Sequence, residues 1–75
     1  MNNAREQKLL KTFGKRLAVA RKSRGLTQQQ LAERVGMSVV AIAYIETGKR
    51  WPRLDTLNKI AKNLKVPIAD FFEDL

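Results

Sequence analysis

The sequence predicts an all-α domain of five short helices. Apolar residues recur at spacings of three and four rather than two, which is the period of a helix with one buried stripe. Glycines and cap-forming residues cut the chain into short segments, and there are only 4 glycines and 2 prolines to do it. A length of 75 residues with 44% hydrophobic and 29% charged side chains matches one folded domain, spanning residues 1–75, rather than a disordered tail.

Each element has its own signal. From about Arg5 to Ser23, Leu10, Phe13, Leu17 and Ala20 form one apolar stripe among Lys and Arg, with residues 1–10 as its N-terminal extension, and Gly25 ends the helix. Thr27 followed by Gln30 has the form of a capping box and opens a second helix, about Gln28 to Val35, with Leu31 and Val35 inward. Gly36 stops it, because a residue without Cβ takes the left-handed conformation at a helix end. Ser38 caps a third helix running to about Thr47. Val39 to Ile45 is rich in strand formers, but Val39, Ile42 and Ile45 sit three apart between a cap and Gly48, so helix is preferred. The fourth helix, about Asp55 to Leu64, places Leu57, Ile60, Ala61 and Leu64 on one face. The fifth, about Ile68 to Asp74, presents Ile68, Phe71, Phe72 and Leu75.

The chain carries 15 Lys and Arg against 7 Asp and Glu, a net charge of +8. Residues 1–27 hold a net +7 and residues 49–65 a net +5, around a middle of −1 at residues 28–48 and before a final −3. Two basic blocks flanking a nearly neutral segment suit a polyanion, since neutralised phosphates release counterions. With 0 cysteines and 0 histidines there is no disulfide framework, no thiolate metal site and no imidazole base. The clustered carboxylates Asp70, Glu73 and Asp74 then read as a solvated helix, not as catalytic machinery. No enzyme, cofactor or metal is expected. No run approaches the roughly 18 apolar residues of a membrane span, and the start lacks a secretory pattern, so a cytoplasmic protein without membrane contact is expected.

The informative constellation is the pair of short helices at 28–35 and 38–47. A joint of a few residues around Gly36 makes them cross steeply, and the second helix then projects its first turn outward, as needed to enter a DNA major groove. Ala32 is small where the helices meet, and Leu31, Val35, Met37, Ile42 and Ile45 supply shared apolar contacts. The segment Gln28 to Thr47 resembles the helix-turn-helix of phage repressors and Cro proteins. The likeness extends to Arg21-Lys22-x-Arg24-Gly25-Leu26-Thr27-Gln28 before it, and to Ile45-Glu46-x-Gly48-x-Arg50-x-Pro52, Leu57-x-x-Ile60-Ala61 and Phe71-Phe72 after it. Together these resemble the Xre or lambda-repressor-like family, which includes small stand-alone regulators such as restriction-modification controller proteins.

The resemblance implies a five-helix DNA-binding domain and a role for each matching residue. Thr27, Gln28 and Gln29 stand where the family clamps a phosphate at the start of a helix. Ser38, Val39, Val40, Ala43 and Tyr44 stand where relatives reach base edges. Relatives often carry Gln, Arg, Ser or Asn at such positions, whereas valine and alanine have no hydrogen-bonding group and contact only thymine methyls. Direct readout is therefore expected to be sparse, resting on Ser38, Tyr44, thymine methyls and DNA deformability. Lys49, Arg50 and Arg53 follow in the loop where the family touches phosphates or the minor groove. Arg21 and Glu46 match a structural ion pair of the family, so Arg21 is assigned to the fold and not to phosphate.

The family's dimer surfaces map onto Trp51, Pro52, Ile68, Phe71 and Phe72, with at least one of the two phenylalanines closing the core. The expected activity is sequence-specific, double-stranded DNA-binding transcriptional regulation, of repressor or controller type, by a homodimer on a two-half-site operator. The competing reading is a protein-interaction module, an antitoxin or adaptor, whose apolar Val39, Val40 and Ala43 dock on a protein partner.

Overall fold

A computed structural model describes residues 4–74. Four α-helices appear in order: α1 over Ala4–Ser23, α2 over Gln28–Val35, α3 over Val39–Glu46 and α4 over Leu54–Leu64. A single 3-10 turn over Ile68–Phe71 follows. The described part of the expected N-terminal extension, residues 4–10, is continuous with α1, while residues 1–3 and Leu75 lie outside the described residues. At about 1.5 Å rise per residue the 20-residue α1 runs nearly the whole 32 Å length of the molecule.

The expected fifth helix over Ile68–Asp74 is corrected to that one 3-10 turn. Its bonds run from the Asp70 N–H to the Pro67 carbonyl and from the Phe72 N–H to the Ala69 carbonyl, each at 3.0 Å and each reaching back three positions. Pro67 offers no side-chain cap, and Asp74 adopts a left-handed φ of 61°. So short a segment gains too few α-type bonds to offset the cost of nucleating them.

The caps follow the sequence closely. Gln30 N–H donates to Thr27 Oγ1 at 3.0 Å and Thr27 N–H to Gln30 Oε1 at 2.8 Å, which closes the capping box of α2. Gly36, at φ 71°, makes the left-handed turn into α3. Ser38 Oγ accepts from the Ala41 N–H at 3.1 Å. Arg53 precedes α4 without a side-chain cap bond.

Phe13, Leu17, Leu31, Ile42, Ile45, Ile60, Leu64 and Phe71 are fully enclosed, so every element contributes to one core. Phe71, expected among the dimer candidates, is corrected to a core residue. It is 1% exposed and packs edge-on to Phe13 with ring centroids 5.7 Å apart, which leaves it no surface to offer a partner. Arg24 Nε donates to the Leu64 carbonyl at 2.8 Å, fastening the end of α1 to the end of α4. No helix among the described residues is long and apolar enough to cross a membrane.

Candidate nucleic-acid interface

The outward face of α3 depends on what holds its inward face. Ile42 and Ile45 enter the core at 0% exposure and Glu46 is nearly as deep. Val39, Val40, Ala43 and Tyr44 then fall within an arc of about 140° on the other side of the helix. Val39, Val40 and Tyr44 are 42%, 55% and 46% exposed, while Ala43 is half-buried. Ser38 stands at the head of this face. Its oxygen is engaged as the cap, and its hydroxyl hydrogen remains a donor.

Behind α3, Gly14 of α1 makes a contact that only glycine permits. A Cβ there would collide with the Ile45 carbonyl and lie 2.6 Å from the Glu46 carbonyl oxygen. The backbone of α1 therefore sits directly against the end of α3. Sequence reasoning missed this residue, although a glycine inside a strongly helical stretch is the signal for such an approach.

One carboxylate joins three segments at the same place. Arg21 Nε donates to Glu46 Oε2 at 2.7 Å and Arg21 Nη2 to Glu46 Oε1 at 3.1 Å. Gln28 Nε2 also donates to Glu46 Oε1, at 3.0 Å, and Arg21 Nη1 donates to the Leu26 carbonyl at 2.6 Å. The buried charges are thus paired and their hydrogen-bonding capacity largely used, the condition under which such a pair is tolerated in a core. Gln28, assigned to phosphate from the sequence, has its side-chain amide committed in part to Glu46. Gln29 is exposed beside it, and the first main-chain N–H groups of α2 have no intrahelical acceptor.

The loop between α3 and α4 carries the remaining cations. Lys49 and Arg50 are exposed. Arg53 Nε lies 3.7 Å from Asp55 Oδ1, but with side chains 84% and 67% exposed this pair is weak and leaves the guanidinium open to other anions. The start of α2, the outward face of α3 and this loop supply, in turn, helix-end amides, an apolar ridge ending in a phenol, and exposed positive charge.

The aromatic residues divide differently. Trp51 lies 5.2 Å and Phe72 5.3 Å from the Phe13 ring, centroid to centroid, and the two outer rings are 6.3 Å apart. Both remain 38% exposed, Pro52 and Ile68 are half-buried, and the neighbouring Leu54, not singled out from the sequence, is 77% exposed.

Known proteins share this fold. The chain is 42% identical over 59 residues to the HTH-type transcriptional repressor RghR of Bacillus subtilis, covering 77% of this chain and 44% of that protein. It spans less than half the length of RghR and of other curated relatives that it matches. The crystal structure of the restriction-modification controller protein C.AhdI from Aeromonas hydrophila superposes with a TM-score of 0.79 at 32% identity, covering 84% of this chain and 96% of that one. PlcR of Bacillus thuringiensis, crystallised with the peptide PapR7 and DNA, gives a TM-score of 0.79 at 37% identity over 87% of this chain and 23% of its own. A model of the HTH_3 helix-turn-helix family matches residues 17–71. With its turn at Gly36 and its ion pair between Arg21 and Glu46 in place, the chain belongs to the HTH_3 helix-turn-helix family.

Proposed function

We propose that this chain is a single helix-turn-helix domain that regulates transcription in the cytoplasm by binding specific double-stranded DNA, and that it performs no catalysis. The observation that carries this reading is the outward face of α3, held by Gly14 and Glu46 from behind and flanked by the start of α2 and the basic loop. In this reading α3 enters the major groove. Thr27, Gln28 and Gln29 meet a phosphate through helix-end N–H groups, and Lys49, Arg50 and Arg53 meet phosphates or the adjoining minor groove. Ser38 and Tyr44 are the hydrogen-bonding readers, and Val39, Val40 and Ala43 select thymine methyls and local shape.

The regulator acts as a homodimer, through surface drawn from Trp51, Pro52, Leu54, Ile68 and Phe72, on half-sites about 34–36 Å apart. A domain this small gains stability as well as affinity from a second copy. Affinity for an operator duplex and for random duplexes, measured across a salt series, tests the reading. Tighter operator binding with a steep salt slope is expected, and equal, weak binding to both sinks it.

The exposure of Val39 and Val40 favours a second reading, in which the same face of α3 docks on a protein and DNA binding is secondary. A partner that co-purifies in equal amount and is released by Val40→Lys, with no duplex preference in the free chain, would replace the first reading with this one.

A further inference from the structure

The far side of α1 carries a surface that DNA reading does not use. Thr12, Lys15, Arg16 and Val19 line one wall of an apolar groove of about 330 Å³, and Val66 and Phe71 line the other. Thr12 and Arg16 each stand two positions from Gly14, so each points about 160° around the helix from the contact that Gly14 makes with α3. The groove therefore opens on the side of α1 turned away from α3. Its second wall is held in place by Arg16, whose Nη1 donates to the Phe71 carbonyl at 3.3 Å and to the Asp70 carbonyl at 3.5 Å. Val19, on the first wall, is 65% exposed.

Its border is charged in one sense along α1. Lys8, Lys15 and Lys22 recur every seven residues, which stacks them along one edge of the helix, and all three are exposed. The opposite border, at the 3-10 turn, carries the exposed Asp70. An apolar trough with a lysine edge complements a segment that presents a hydrophobic ridge with carboxylates along the side facing those lysines. A phosphate backbone gains nothing from the accessible apolar side chains Val19 and Val66, so the apolar lining argues against a second duplex.

We infer that this groove is a protein-docking site for an acidic amphipathic helix, seated with its apolar ridge over Val19 and its carboxylates along Lys8, Lys15 and Lys22. Such a segment lies on the opposite side of the molecule from α3, so it is carried together with DNA and does not compete with it. The groove thus gives a chain that reads DNA on one side a second contact through which it recruits, or is controlled by, another protein.

The test uses the full 75-residue chain, labelled for NMR, and a synthetic peptide with leucines at i, i+3, i+4 and i+7 and glutamates between them. Micromolar binding is expected, with amide shifts at Thr12, Arg16, Val19 and Val66 and none on the outward face of α3. Val19→Glu and Lys15→Glu should each weaken it about tenfold or more, a loss of about 1.4 kcal/mol. Both side chains are exposed, so an unchanged melting midpoint confirms the fold of each variant, and either one suffices. The proposal is overturned if a peptide with serine in place of leucine binds equally well, which marks a bare charge surface. It is equally overturned if the shifts map to α3, or if Val19→Glu changes the oligomeric state, which assigns the groove to a second copy.

Discussion

Arg21 and Glu46, twenty-five positions apart, meet in a two-point ion pair of 2.7 and 3.1 Å with side chains only 8% and 5% exposed. The pair joins the last turn of α1 to the last residue of α3. Removing one partner leaves a buried charge uncompensated, at a cost of about 3–5 kcal/mol. Glu46→Ala should therefore lower the urea midpoint steeply and reduce DNA affinity only as the folded fraction falls. Arg21→Met with Glu46→Leu should recover much of the stability, because an apolar pair of similar volume leaves no orphan charge.

Gly14→Ala separates backbone approach from helix propensity. Alanine favours a helix interior over glycine by about 1 kcal/mol, but here its Cβ meets two carbonyl oxygens of main chain that has no rotamer to yield. The clash should win, giving a net loss of about 1–3 kcal/mol in denaturant unfolding. A stabilised variant would mean that α1 and α3 are less closely apposed than described.

Thr27→Ala removes one half of the capping box and should cost about 1 kcal/mol, while Thr27→Ser should be close to neutral. Thermal melts of the two variants check this. The same pair distinguishes the cap from a phosphate contact: serine should preserve DNA affinity and alanine should reduce it beyond the stability loss.

Arg50 and Tyr44 should fail in different ways. Arg50→Ala should weaken binding on every duplex and lower the salt slope by about one, as expected for the loss of one phosphate contact. Tyr44→Ala should leave the slope alone and change the ranking of operator variants. Binding titrations over a salt series and a set of single-base operator substitutions separate the two.

The adjacent phenylalanines should also part company. Phe71→Ala empties a fully enclosed site and should cost about 3–5 kcal/mol in unfolding. Phe72→Ala, on a ring 38% exposed, should cost far less in unfolding and should instead raise the dissociation constant of the proposed homodimer, read by sedimentation.

What the sequence disclosed was mostly local. The Thr27 and Ser38 caps, the Gly36 turn and the apolar stripes each depend on residues within one or two helical turns, so spacing alone revealed them. Arg21 with Glu46 was legible only through family resemblance, since nothing local joins them. The stacking of Trp51 and Phe72 on Phe13 was hidden for the same reason, because three distant segments must first fold to bring the rings together. The last segment was misjudged because its apolar spacing suits a helix, whereas its shortness and the lack of a side-chain cap at Pro67 decide for a 3-10 turn. Leu54 escaped notice because one leucine at the first position of a helix carries no sign of whether it faces in or out.

The contact at Gly14 also bears on how this protein can change. The pose of α3 is set by main chain pressed against main chain, by one carboxylate and by two buried isoleucines, all on its rear side. Val39, Val40 and Tyr44 stand clear of that mounting, so new side chains can be exchanged there as interchangeable type in a fixed press, altering the message without disturbing the machine that prints it.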